Sequence, residues 1–146
     1  MKTLLLSIAA MVLMVSCQAE NSQEITPELV KVTGKWKLYK ISGGFRSPND
    51  PSEVPITSEE IIEFNTSTKV FTRTIAGKVT ETTNFDVRAI NNFNNTSARE
   101  AIVFTKSNTY SWVSFEESTS SLVLYQSTPI GAELADGNSF YYRKVN

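Results

Sequence analysis

Apolar and polar residues alternate along most of this chain with a period of two, the spacing of a β-strand that buries one face. Charged residues such as Lys37, Glu63, Asp86 and Arg143 stand between or beside the apolar positions and can remain in water. The pattern therefore predicts strands with one dry and one wet face. It is carried by six apolar pairs, each two positions apart: Trp36/Leu38, Ile62/Phe64, Phe85/Val87, Ile102/Phe104, Leu122/Leu124 and Phe140/Tyr142.

Short runs rich in β-forming residues and bounded by turn residues define eight predicted strands, at 35–41, 59–65, 69–75, 79–89, 101–106, 110–115, 121–126 and 140–145. The connections at 65–68, 77–78, 107–108 and 117–120 are short enough for hairpins between antiparallel neighbours. We predict an all-β fold, an eight-stranded antiparallel up-and-down barrel that closes on itself and leaves no edge strand. A two-sheet sandwich is the alternative, because strand number alone does not prove closure.

A short helical turn is predicted just before the first strand. Thr26 can cap it, Pro27 has a helical φ, and Glu28 is an acid in the first turn. The turn should cover residues 27–30, because β-branched residues follow it and Gly34 ends it.

The amino terminus has the pattern of an export signal. Lys2 precedes an apolar run at 4–15, which is shorter than the roughly 20 residues that span a bilayer. The next residues, Ser16 and Cys17, complete a segment that resembles the lipobox of bacterial lipoproteins, in which the Cys is acylated and becomes the first mature residue. Gln18, in place of Asp, implies by the same resemblance an outer-membrane lipoprotein. An ordinary secretory signal with an incidental thiol is the alternative.

This interpretation divides the chain into three parts. Residues 1–16 are the lipoprotein signal peptide, 17–25 are the lipidated Cys and a polar tether, and 26–146 are the barrel domain. The membrane, reached through the lipid anchor at Cys17, is thus a predicted partner in the bacterial cell envelope.

Composition excludes several classes of function. With 14 Lys and Arg against 15 Asp and Glu, the net charge of −1 gives no reason to bind nucleic acid. The absence of His excludes His-based metal sites and triads, and the single Cys excludes an intramolecular disulfide. The carboxylates at 59–60 and 116–117 are adjacent, so their side chains diverge and cannot readily share a substrate. We predict a protein that is not an enzyme and uses no catalytic residue, metal or cofactor.

Gly34-Lys35-Trp36, after a short helical turn, resembles the Gly-x-Trp motif of the lipocalin superfamily. Together with segments 26–29, 61–64 and 136–145, it resembles the small lipocalin-like lipoproteins of the Bacteroidetes type over nearly all of the mature chain. The resemblance implies that Trp36 closes the bottom of the barrel beneath a basic side chain, with Arg143 as the first candidate and Lys144 as the second. The chain departs from the larger family in lacking the usual disulfide and a carboxy-terminal helix, which leaves room for a more filled interior.

Aromatic residues cluster in the last three predicted strands. Such a cluster can be core, a ligand lining or a sugar-stacking patch. If the protein has a pocket, we expect it at the four candidate ligand-binding residues Tyr110, Trp112, Tyr125 and Tyr142. The leading hypothesis for function is a lipid-anchored, noncatalytic module that binds a small apolar or amphipathic molecule.

The alternative function is a protein–protein interaction or inhibitor domain that acts through its long loops. These are residues 42–57, at the place of the lipocalin lid, and residues 91–99 and 127–138. In an alternating barrel the loops at 91–99 and 127–138 can lie at opposite ends, so they need not share a site.

Overall fold

A computed structural model describes residues 27–44, 51, 53–91 and 98–146. Within them, one short helix precedes nine strands, and a single 3₁₀ turn at Glu117–Thr119 lies between the sixth and seventh strands. The elements are α1 (Pro27–Val32), β1 (Gly34–Gly43), β2 (Glu60–Asn65), β3 (Val70–Ile75), β4 (Lys78–Asn91), β5 (Ala98–Phe104), β6 (Thr109–Glu116), β7 (Ser121–Tyr125), β8 (Thr128–Pro129) and β9 (Asn138–Val145).

Eight of the strands form a closed antiparallel barrel. Their order is β5-β4-β3-β2-β1-β9-β7-β6, and β6 pairs back to β5 to complete the ring. The four predicted hairpins join β2 to β3, β3 to β4, β5 to β6 and β6 to β7. The predicted up-and-down barrel is confirmed, and closure excludes the sandwich. The two-residue β8, which the sequence did not predict, pairs with the first residues of β6 outside the ring.

The strand registers turn the predicted apolar face inward. Of the twelve residues in the six apolar pairs, ten are buried in one core cluster, and Val87 and Phe140 are partly buried against it. Large rings fill the space between the strands. Phe64 contacts Phe71 and Phe85 at centroid distances of 5.0 and 5.1 Å, and Phe71 contacts Phe104 at 4.9 Å. The described interior is therefore packed by its own side chains.

Trp36 closes the end of the barrel that lies beside α1. Its indole is 4% exposed, and its Nε1 donates a hydrogen bond of 2.8 Å to the Val32 carbonyl at the end of α1. Between them Gly34 has a φ of 111°, a backbone conformation that favours glycine. The indole thus fixes the helix to the barrel, as expected for a fold residue.

The basic side chain over Trp36 is Lys144, and the first candidate, Arg143, was wrong. Lys144 is the cross-strand partner of Trp36, and its Nζ lies 5.4 Å from the indole centroid. Arg143 is paired with Lys37 on the outer face, where its guanidinium lies 4.2 Å from the Tyr39 ring centroid. The reason is strand alternation: since Tyr142 points inward, residue 144 does too, and residue 143 points outward.

Several predictions fall outside the described residues. These are the signal peptide, the lipidated Cys17, the tether, the Thr26 cap and the middle of the loop at 42–57. The described part of that loop runs beside β1, where the Val54 amide donates to the Ile41 carbonyl at 3.0 Å and Glu53 pairs with Lys40 at 3.0 Å. No helix among the described residues is long and apolar enough to span a membrane.

Candidate binding cleft on the outside of the barrel

A second, smaller apolar cluster lies on the outer face of β4, β5 and β6. In β6 the inward positions are Ser111, Val113 and Phe115, so Tyr110 and Trp112 point outward. Their neighbours on β5 face the same way, since Ala101 pairs with Trp112 and Val103 pairs with Tyr110. The apolar run at 101–104 is therefore buried on both faces of its strand, as in a sheet covered on both sides.

The connection between β7 and β9 covers part of this outer cluster. The strand β8 ties it to β6, and the Ile130 amide donates to the Asn108 carbonyl at 3.1 Å. Farther along, the Tyr110 hydroxyl donates to the Ala132 carbonyl at 2.9 Å. These contacts hold the connection against the barrel wall and leave a space between them.

That space is a cleft of about 260 Å³, which we call the outer cleft. One wall comes from β5, β6 and β7, and the other from the connection between β7 and β9. The residues that matter for its chemistry are Arg99, Trp112, Tyr125, Gln126, Glu133 and Leu134. The cleft combines aromatic surface with one guanidinium, one carboxylate and one amide, and its lining is more polar than apolar.

The aromatic wall of the outer cleft is arranged around Arg99. The Arg99 guanidinium lies 5.4 Å from the Trp112 ring centroid and 5.9 Å from that of Tyr125. Trp112 in turn packs edge-on against Tyr110, with centroids 4.9 Å apart and an interplanar angle of 72°. The two rings and the cation hold one another in place through cation–π and edge-to-face contacts.

The structure brings three of the four predicted ligand-binding residues together. Trp112 and Tyr125 line the outer cleft, and Tyr110 supports it from beneath the loop. Tyr142 does not join them, and its grouping with the other three was wrong. It lies inside the barrel, 1% exposed, because its cross-strand partners Leu38 and Leu122 are inward positions.

Arg99, Gln126 and Glu133 were missed as site residues. Arg99 lies near the start of β5 and shares the cleft with the loop at 127–138. The strand pairings place Asn91 and Ala98, the ends of the other connection, toward the opposite end of the barrel. Strand alternation could have identified Arg99, because it is two positions before Ala101, which pairs with Trp112. Glu133 lies in a loop, where no periodicity places it.

Two buried tyrosines have raised pKa values. Burial, followed by the negative charge of Glu133, raises the pKa of the Tyr110 hydroxyl, so Tyr110 remains a neutral donor to the loop. Burial, followed by the carboxylate of Glu60, raises the pKa of Tyr142 well above its usual range. Both hydroxyls act as hydrogen-bond donors within the fold.

Glu60, Arg73 and Glu81 form a charged group inside the barrel near Tyr142. The Tyr142 hydroxyl donates to Glu60 Oε1 at 2.7 Å, and Arg73 Nε lies 3.5 Å from the same oxygen. Arg73 Nη1 also donates to Glu81 Oε2 at 3.1 Å. The Arg73 guanidinium therefore pairs with two carboxylates. Glu59, the neighbour of Glu60, points outward and pairs with Lys37, so the predicted divergence of the two side chains is confirmed.

A groove of about 380 Å³ lies at the α1 end of the barrel. Trp36 and Phe115 form its apolar base, and Lys31, Lys144 and Glu117 are on its rim. In the part of the chain that the structure describes, neither this groove nor any other place brings together three or more acidic or Cys side chains that could hold a metal ion.

No protein-family model, curated protein or solved structure matches this chain.

Proposed function

We propose that this protein is a lipid-anchored, noncatalytic, lipocalin-like module of the bacterial cell envelope that binds a small apolar or amphipathic molecule in the outer cleft. The observation that carries the proposal is the convergence of Trp112 and Tyr125 on one cleft of about 260 Å³. Two large rings at the wall of a concave site supply apolar contact area, and nearby polar groups can fix the orientation of a ligand.

The packed interior favours a ligand outside the barrel. The four contacting phenylalanines and Tyr142 are buried in the core of the barrel. An interior ligand would have to displace side chains that pack against one another, whereas the outer cleft is already open.

A fluorescent probe tests the cleft directly. N-phenyl-1-naphthylamine is small, aromatic and uncharged, so it should bind the wild-type protein and become more fluorescent in an apolar site. The Trp112→Ala variant should lose this binding. Tyr39→Ala is the matched control, since Tyr39 is also an outer aromatic ring beneath an arginine but lies on β1. Equal probe binding by wild type and Trp112→Ala would overturn the assignment of the cleft.

Protein purified from the cell envelope in which it is made can be tested for a bound natural ligand. Native mass spectrometry should detect a retained small molecule on the wild-type protein and not on Trp112→Ala. Consistent absence of a bound molecule from the wild-type protein counts against the binding function.

The lipid anchor is proposed from the sequence around Cys17. Since α1 begins at Pro27, ten positions after Cys17, the anchor would keep the α1 end of the barrel near the membrane surface. Two or more acyl chains give stable anchoring. Cys17→Ser should abolish acylation and release the protein from the membrane fraction. Unchanged fractionation of Cys17→Ser would contradict the lipoprotein assignment.

One observation favours the alternative, a protein–protein interaction or inhibitor domain. Ile130 and Leu134, both in the connection beside the outer cleft, are 40% and 46% exposed. Exposed apolar residues on a loop are typical of a protein contact. A photo-crosslinking residue at position 134 separates the two functions in cells. A discrete protein adduct, together with absence of probe binding in vitro, would support the interaction domain over the small-molecule site.

A further inference from the structure

Arg99 is a basic residue of the described chain with which no acidic side chain there pairs, unlike the five that form ion pairs. Lys35, Lys37, Lys40, Lys69 and Arg73 each have a carboxylate oxygen within 4.0 Å. The Arg99 guanidinium lies over two aromatic rings and forms no ion pair with a described residue, although Glu133 lines the same cleft. Its N–H groups therefore remain available to a ligand.

The rings beside Arg99 also orient its guanidinium. A guanidinium that lies against the faces of Trp112 and Tyr125 keeps its planar edge free, and this edge matches two oxygens of one anionic group. Gln126 can contribute a second donor to the cleft. Its Oε1 already accepts from the Asn138 amide at 3.1 Å, which leaves its side-chain nitrogen to donate.

We propose that Arg99 is an anion-recognition residue and that the outer cleft takes amphipathic acids, molecules with an apolar body and a carboxylate or similar oxyanion. The apolar body contacts Trp112 and Leu134, and the oxyanion accepts from Arg99. This inference rests on the proposed binding function, since it names the class of ligand for the same cleft. Glu133 opposes it electrostatically and limits the affinity for the anion.

Two probes of nearly the same shape isolate the charge. 1-Anilinonaphthalene-8-sulfonate carries the ring system of N-phenyl-1-naphthylamine with one added sulfonate. We expect the sulfonate to bind the wild-type protein about fivefold more tightly than the neutral probe, a charge-assisted contact reduced by the exposure of Arg99. Arg99→Gln should remove this advantage, so that the variant binds the two probes with equal affinity. Glu133→Gln should increase the affinity for the sulfonate alone.

Arg143→Gln is the matched control for Arg99→Gln. Arg143 also lies over an outer aromatic ring, and its loss changes the net charge equally, but it is not among the residues that line the cleft. We expect this variant to bind both probes as the wild type does. Equal weakening of sulfonate binding in both variants would show that net charge alone is responsible and would overturn the role of Arg99.

The two probes also separate this inference from the proposed function. If both probes bind equally well and Arg99→Gln changes neither affinity, the acidic ligand class is wrong while the binding function stands. If neither probe binds the folded wild-type protein, the binding function itself fails, and the role of Arg99 fails with it.

Discussion

Trp36 joins the end of α1 to the barrel through its buried ring and its hydrogen bond to Val32. We predict that Trp36→Ala lowers the free energy of unfolding by about 3 to 5 kcal/mol, because it removes a large core ring and leaves the Val32 carbonyl without its donor. Denaturant unfolding followed by circular dichroism measures the change. A loss below about 1 kcal/mol would contradict the closing role of Trp36.

Trp36→Phe separates packing from the hydrogen bond. Phenylalanine keeps most of the apolar ring and cannot donate to the Val32 carbonyl. We expect a loss of about 1 to 2 kcal/mol, clearly smaller than that of Trp36→Ala. Equal losses in the two variants would show that the Nε1 donor, and not the ring, is the main contribution.

Tyr142 makes stability depend on pH in the alkaline range. Because its pKa is raised in the folded protein, the unfolded chain releases the proton first, at about pH 10. The stabilisation is complete below that pH, and it falls by about 1.4 kcal/mol per pH unit as the pH rises toward the pKa of the folded state. Unfolding free energies of the wild type should therefore decrease more steeply above pH 10 than those of Tyr142→Phe. Parallel curves would refute this coupling.

The wrong choice of Arg143 illustrates what a sequence can specify for a single residue. Strand alternation, with Phe140 and Tyr142 inside, assigns Lys144 to the inner face and Arg143 to the outer face. The family resemblance implied only a basic side chain near the end of the barrel, whereas alternation along β9 favours Lys144. Alternation was the more reliable guide, because it follows from backbone geometry.

Among the elements, the connection between β7 and β9 depends on one side chain of β6. Tyr110→Phe removes the donor to the Ala132 carbonyl while the ring remains in place. We predict that the amides of Ile130 and Ala132 then exchange faster with solvent, as the connection opens more often, at a cost of about 1 kcal/mol. Hydrogen exchange followed by NMR measures this effect.

Tyr125→Phe is the matched control for Tyr110→Phe. It removes a hydroxyl from the other tyrosine near the cleft, one that contacts Arg99 through its ring and not the loop through a hydrogen bond. Exchange at Ile130 and Ala132 should remain as in the wild type. Unchanged exchange in Tyr110→Phe as well would show that β8 alone holds the connection.

The eight barrel strands could be predicted because each alternates and is bounded by turn residues. The strand β8 could not be predicted, because it has only two residues, too few to show alternation, and one of them is Pro129. The outer cleft was missed for a related reason, because alternation marks the outer face as wet. The run at 101–104, apolar at consecutive positions, was the available indication that β5 is covered on both sides.

At the scale of the whole molecule, the closing of the sheet into a barrel was inferred from the need to bury one apolar face, and no single residue indicates it. Sequential antiparallel strands with one dry face can bury it by closing or by stacking into two sheets. The decisive contact is the pairing of β1 with β9, between the two ends of the domain, and no local pattern specifies it. An interior ligand site depends on the volumes of the inward side chains, and here four phenylalanine rings in the core contact one another.

The strand β9 closes the barrel, because it pairs with β1 on one side and with β7 on the other. We predict that ending the chain before Asn138 abolishes cooperative unfolding, since this removes Phe140 and Tyr142 from the core and exposes two strand edges. The truncated chain should aggregate and lose chemical-shift dispersion in NMR spectra. Removal of Asn146 alone, which lies beyond β9, is the control and should leave the fold intact. A truncated chain that unfolds cooperatively as a monomer would show that the remaining strands form a stable sheet without closure.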